Sequence, residues 1–174
     1  TARRGDAGRG PRRRRARRDG ALRRRGPGGQ LLRRRAARRA LAGLDGAEVD
    51  DLDLADLRSV AGFADRFIAS QPAVDMVIAS AGIMAPPLRR VGNGWESQFA
   101  TNHLGHFALI NRLWPALRAG GQARVVAVSS RGHYASGMRW DDPHFTGTEY
   151  DKWTAYGQSK SANSLFAVHL DHLG

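Results

Sequence analysis

Tyr156 and Lys160 stand four residues apart in a stretch with helical patterning, so a phenol and an ammonium share one helix face. A free phenol titrates near ~10 and is a poor acid or base at neutral pH. A neighbouring positive charge favours the phenolate and brings the group toward the working range. Upstream, Arg124-Val125-Val126-Ala127-Val128 is a short apolar run that ends in two hydroxyls, Ser129 and Ser130. Such a run has the pattern of a buried parallel strand, whose end would present those hydroxyls. A serine opposite a tyrosine can hold a substrate oxygen while the tyrosine gives or takes its proton. That is the chemistry of a carbonyl and its alcohol. A Tyr and a Lys at this spacing are common by chance, so the pair carries weight only if other elements converge on it.

Competing constellations are thinner. His103 and His106 are three apart, as are His169 and His172, but no matching Asp or Glu cluster accompanies them and no metal site is expected. Ser129, Ser130 and His133 have the residue types of a hydrolase without the Gly-x-Ser-x-Gly elbow. Trp140 and Trp153 flank a polar loop and read as packing or pocket walls rather than base-stacking platforms.

The elements that must position these groups follow from the patterning. Residues 47–54 read as a strand with a polar exit. Leu57, Val60, Ala61, Ala64, Phe67 and Ile68 have helical spacing, with Asp56 at the N-terminus and Pro72 beyond the end. Residues 74–79 form a second apolar strand, leading into Ser80-Ala81-Gly82 and a loop that ends at Gly92 to Gly94. A long helix follows, with Leu104, Phe107, Ile110, Trp114 and Leu117 on one face, Pro115 in its last turn and Gly120-Gly121 as its stop. The strand 123–129, a polar loop and a last helix complete the chain; that helix starts near Trp153 and is expected to bury Ala162, Leu165, Phe166, His169 and Leu173. The alternation predicts an α/β fold, a Rossmann-type doubly wound parallel sheet covered on both faces, with its ligand beyond the carboxyl ends of the strands. Asp53, Ala79 to Gly82 and Ser130 all fall on that edge.

Composition bounds the rest. The chain of 174 residues has no cysteine, which excludes disulfides and thiolate metal sites, and no apolar run long enough to span a bilayer. A soluble, cytoplasmic protein is expected. The net charge of +12 is not spread evenly. Residues 1–40 hold 17 Arg against Asp6 and Asp19, and residues 41–174 hold 11 Lys plus Arg against 14 acids. Arg, Ala, Gly and Pro fill 33 of the first 40 positions, without Lys or aromatics. Three readings compete for this segment: GC-rich coding sequence read in the wrong frame, a basic arm for nucleic acid, or a presequence. Thr1 in place of Met suggests a fragment.

From Leu41 onward the sequence resembles the short-chain dehydrogenase/reductase family. Thr101-Asn102-His103-Leu104-Gly105-His106-Phe107, with Trp95 before it and the long interval from Ser130 to Tyr156, is most similar to the branch of retinol-dehydrogenase-like and protochlorophyllide-reductase-like oxidoreductases. The resemblance implies hydride exchange between NAD or NADP and a carbonyl or secondary alcohol. It makes Tyr156 the general acid/base, Lys160 its pKa-lowering and ribose-binding partner, and Ser130 the group that orients the substrate oxygen. Asn102 would help hold a water leading to Lys160. Asp53 and Leu54 would lie at the adenine, and Ala79-Ser80-Ala81-Gly82 would take the place of the Asn-Asn-Ala-Gly turn along the cofactor. A small-molecule substrate follows, and a homo-oligomer is compatible with the family.

The family's Thr-Gly-x-x-x-Gly-x-Gly turn, which brings backbone and a helix N-terminus to the pyrophosphate, has no counterpart, because Gly5, Gly8 and Gly10 have the wrong spacing and no strand precedes them. The chain as written is therefore expected to bind dinucleotide poorly and to leave the strand at 47–54 without its neighbour, at risk of failing to fold alone. The reading from a different class is a basic nucleic-acid-binding protein that uses residues 1–40 as its arm.

Overall fold

A computed structural model describes residues 36–173. The chain divides between Val49 and Asp50 into two compact units. In the first, residues 36–40 are helical and turns follow. Residues 1–35, and with them most of the Arg-rich segment, lie outside the described residues.

The second unit begins with an irregular stretch that leads to helix α1 (Leu57–Ser70). Asp56 caps it: from an extended backbone, its Oδ1 accepts the Arg58 N–H at 2.9 Å. Such a cap contributes about 1 kcal/mol. The helix stops at Gln71, ahead of Pro72, where an α conformation would collide with the proline ring. Strand β1 (Met76–Ala79) is followed by a small antiparallel hairpin of β2 (Arg90–Val91) and β3 (Trp95–Glu96). Gly92 and Gly94, at φ 52° and 91°, form its turn. Three helical segments then run on without interruption: α2 (Ser97–Phe99), a π-helical stretch (Ala100–Leu104) and α3 (Gly105–Ala119). Strand β4 (Arg124–Ala127), a 3-10 turn (Arg131–Ala135) and helix α4 (Lys152–Asp171) complete the order.

β1 and β4 pair in parallel, with Met76 opposite Arg124 and Ala79 opposite Ala127. Their inward side chains meet Val60 and Ala64 of α1, Leu109, Ile110, Leu113 and Leu117 of α3, and Phe166 of α4 in one core. The alternation of strand side chains puts Met76, Ile78 and Val126 on the other face, at 52%, 61% and 43% exposure. The α/β class and the parallel strands are as expected. The cover on both faces is not: among the described residues, the helices lie on one face.

Other expectations are corrected. Residues 47–53 are not a strand. No described strand lies beside them to supply a ladder, and acidic residues, which strands disfavour, make local contacts instead, as where Asp50 accepts both Nε and Nη2 of Arg66. In α3, Phe107 is 44% exposed, and the buried face is Gly105, His106, Leu109, Ile110, Leu113, Ala116 and Leu117. In α4, Leu165 and His169 are exposed, as is Leu173 beyond its end, whereas Gly157, Gln158, Ser159, Lys160 and Asn163 are buried with Ala162 and Phe166. The hairpin and the π-helical stretch were not anticipated.

Candidate active site

The apolar run at 124–128 pairs with β1, and its exit delivers Ser129 and Ser130 where β1 delivers Ser80 to Gly82. Helix α4 crosses this edge, started by Asp151, whose side chain accepts the Thr154 N–H at 2.7 Å. That bond holds the Asp151 carboxyl below its ordinary pKa. Tyr156 and Lys160 project from α4 as their spacing predicts, with Lys160 Nζ 5.8 Å from the centre of the Tyr156 ring. Gly132 sits between this ring and the serine: a Cβ there would lie 2.9 Å from Tyr156 Cε1 and 3.5 Å from Ser130 Oγ. Only a glycine lets this turn lie so closely against the phenol ring. Ser130 Oγ accepts the Gly132 N–H at 3.1 Å, which leaves its proton to donate to another oxygen.

Lys160 is 5% exposed, and burial pushes its ammonium below the usual lysine pKa. Its Nζ donates to Val128 O at 3.0 Å. An ammonium has three donors, so this bond leaves N–H groups for a ligand. Asn163 Nδ2 donates to the same carbonyl at 3.2 Å, Ser129 Oγ donates to Lys160 O at 2.8 Å, and Ser164 Oγ donates to Ser129 Oγ at 2.9 Å. The first serine of the pair thus ties the strand end to α4, and the second uses its oxygen as an acceptor within its own turn.

Asn102 is fully buried in the π-helical stretch. Its Oδ1 accepts the Ile83 N–H at 2.8 Å, and its Nδ2 donates to Ile83 O at 2.9 Å and Ser159 Oγ at 3.0 Å. The side chain therefore clamps the segment that leaves β1, and Gly82 packs so tightly on it that a Cβ would lie 2.9 Å from Asn102 Oδ1. The Asn102 carbonyl accepts from His106 Nδ1 at 2.9 Å. Ala79 is buried at the end of β1, and Ser80, Ala81 and Gly82 are exposed beyond it.

Asp53 and Leu54 form the turn before α1. Asp53 Oδ1 accepts the Ala55 N–H at 3.0 Å, the Asp53 N–H donates to Ser59 Oγ at 2.9 Å, and Leu54 is buried. Gly105 presses against this turn; a Cβ there would lie 2.7 Å from Leu54 Cβ and closer still to Leu54 O. His133 Nδ1 bonds the Ser130 carbonyl, not the hydroxyl, at 2.5 Å. The geometry of a serine hydrolase is absent there. Among the described residues, no cluster of His, Asp and Glu could hold a metal ion.

Several supporting residues escaped the sequence reading. Glu96, fully buried, caps α2 by accepting the Gln98 and Phe99 N–H groups at 2.9 and 2.8 Å. Gln98 Oε1 accepts the Ala85 N–H, and its Nε2 donates to Tyr150 Oη and Lys152 O. Burial, with Glu96 nearby, pushes the Tyr150 phenol up to about 12. The available signal was polar side chains at helical positions, Gln98 and Asn102 four apart.

A sequence model described as short chain dehydrogenase matches residues 33–141. A protein described as a probable oxidoreductase from Streptomyces lividans is 48% identical over 130 residues, 74% of this chain and 43% of that protein. Human retinol dehydrogenase 14 is 38% identical over 130 residues, 75% of this chain and 38% of that protein. A solved structure of an uncharacterised protein from Mycobacterium paratuberculosis superposes with a TM-score of 0.71 at 43% identity, over 80% of this chain and 49% of that chain. The chain thus spans less than half the length of these relatives.

Proposed function

The chain belongs to the short chain dehydrogenase family, and on that premise we propose that it is an NAD(P)-dependent oxidoreductase that interconverts a carbonyl and an alcohol. The observation that supports this most is the gathering of Ser130, Tyr156 and Lys160 at the exit of β4. In the reducing direction, Ser130 Oγ–H holds the substrate oxygen and Tyr156 Oη gives it a proton. The Lys160 ammonium stabilises the negative charge left on the phenol. In the oxidising direction, the same groups take the proton back. A nicotinamide, when bound, supplies or accepts the hydride at its C4.

The chain's residues fit the nicotinamide end of such a cofactor. Lys160 keeps donors for ribose hydroxyls beside Tyr156, and Ala79 to Gly82 offer backbone along the strand end. Asp53 and Leu54 are assigned to the adenine end. Among the described residues, no glycine-rich turn after a strand serves the pyrophosphate, so weak cofactor affinity is part of the reading. Asn102 acts through the loop it clamps and through its carbonyl. The partner is a small molecule, and self-association through the exposed Phe107, Leu165 and Val168 of α3 and α4 is compatible with it.

The experiment that tests this is label transfer. The full chain is incubated with a carbonyl compound and NADPH or NADH deuterated at the transferable C4 position, at high cofactor concentration. Deuterium on the alcohol carbon is expected; an alcohol product without label, or no product with either cofactor, contradicts the reading.

A further inference from the structure

Two buried amides stand four residues apart on the helical run from Ser97 to Ala119, Gln98 and Asn102, both at 0% exposure. Both reach the same two parts of the chain. On one side is the segment that leaves β1: the Ile83 N–H donates to Asn102 Oδ1 at 2.8 Å, and the Ala85 N–H donates to Gln98 Oε1 at 2.8 Å. On the other side is α4: Asn102 Nδ2 donates to Ser159 Oγ at 3.0 Å, and Gln98 Nε2 donates to Lys152 O at 3.0 Å. The two rungs bracket the Tyr156 and Lys160 pair. Ser159 is the residue before Lys160, and Lys152 O is the carbonyl that α-helical bonding pairs with the Tyr156 N–H.

The Gln98 rung needs a neutral amide. Its partners are a backbone N–H and a backbone carbonyl, so one end must accept and the other donate; a carboxylate only accepts and an ammonium only donates. The second Nε2 hydrogen reaches Tyr150 Oη at 2.9 Å, and that hydroxyl donates to Pro86 O at 3.1 Å. Gln98 therefore holds the segment at Ala85 directly and at Pro86 through Tyr150. The segment needs such a hold. Ala85 has φ 51°, in the left-handed region that a side chain other than glycine adopts only against strain. A strained residue persists where its surroundings over-determine it. The held residues continue directly from Ala79 to Gly82, and Gly82 packs on the Asn102 amide.

We propose that Gln98 is a positioning residue: its amide sets the turn at residues 83–85 against the first turn of α4, and so fixes the backbone assigned to the nicotinamide end relative to Tyr156. The proposal rests on the oxidoreductase reading above. Hydride and proton must reach the two atoms of one carbonyl, and a displacement of about 1 Å between the groups that place them costs up to about a hundredfold in rate. Tyr156 and Lys160 share one helix and keep their own spacing. The distance from that helix to the β1 exit is what Gln98 supplies.

The test compares the full chain with Gln98→Met, which keeps the volume and loses the amide, and with Ala85→Gly, which relieves the left-handed residue and frees the turn. Hexanal is reduced with saturating NAD(P)H, either unlabelled or deuterated at the transferable C4 position. Amide hydrogen exchange at Ala85 is followed without cofactor. In Gln98→Met, kcat is expected to fall about tenfold with the KM for hexanal within about twofold, the deuterium isotope effect on kcat to rise, and the Ala85 amide to exchange faster. Ala85→Gly is expected to melt no lower than wild type and yet to turn over about threefold more slowly, a split that a merely structural contact does not produce. A kcat in Ala85→Gly equal to that of wild type overturns the proposal even if Gln98→Met fails to fold. So does an unchanged kcat, isotope effect or Ala85 exchange in Gln98→Met. A wild-type chain that leaves hexanal unreduced fails the oxidoreductase reading, and the proposal with it. An active wild type whose rate neither variant lowers fails the proposal alone.

Discussion

Burial holds His106 and His103 below the ordinary imidazole pKa, and the Lys160 charge adds to the effect on His106. Each is satisfied as a neutral ring, His106 at the Asn102 carbonyl and His103 at Asn163 Oδ1, 3.2 Å away. The folded chain therefore takes up these protons at lower pH than the unfolded chain does. The linked stability is full above the unfolded value near ~6.5 and is lost as pH falls from there through the lowered folded values. The melting temperature is expected to drop between about pH 7.5 and about pH 5, and His106→Asn, which removes one of the titrating groups, to shallow that drop. A wild-type melting temperature independent of pH across this window would contradict the assignment. At this scale the sequence was most informative where chemistry dictates residue type, as at Ser130, Tyr156 and Lys160. It was silent on Gln98, Gln158 and Glu96, because a polar residue in a helix reads as solvent-facing until a partner distant in sequence is known.

The misread face of the central helix lies within α3 itself: Ile110 and Leu117 stand at the edge that the expected and the buried stripes share, Phe107 and Trp114 lie beyond that edge, and the core takes His106, Leu109 and Leu113. The face of α4 was misread for a different reason: the side turned to the site is polar and small, and Leu165 and Val168 face outward at 52% and 58% exposure. The start of α1 and the stop at Gly120 were legible because caps and breakers are local. Gly105 was legible only as a letter of a motif. Its close approach to Leu54 holds the central helix against the turn that carries Asp53. Gly105→Ala is expected to destabilise the fold by about 1–3 kcal/mol by overpacking, despite alanine's better helix propensity. Urea denaturation measures this, and a more stable variant would contradict the close contact.

At the scale of the whole molecule, α1, α3 and α4 cover one face of the β1–β4 pair, and Met76, Ile78 and Val126 stand exposed on the other. The sequence pattern gave the strand–helix alternation but not this one-sidedness, because an apolar strand reads the same whether one face or both are covered. No described helix is long and apolar enough to cross a membrane. The nucleic-acid reading rests on a segment that lies almost wholly outside the described residues, and the described site gives it no support. The site's components converge instead from β1, the π-helical stretch, β4 and α4, and the proposed turnover draws on all of them together. The most direct measurement is therefore the steady-state rate of NAD(P)H-dependent carbonyl reduction by the full chain, wild type beside Tyr156→Phe, at high cofactor concentration. The account predicts slow but measurable reduction by wild type and a loss of at least about a hundredfold in kcat on removing the single hydroxyl, with the melting temperature unchanged. Equal rates in the two proteins would contradict it.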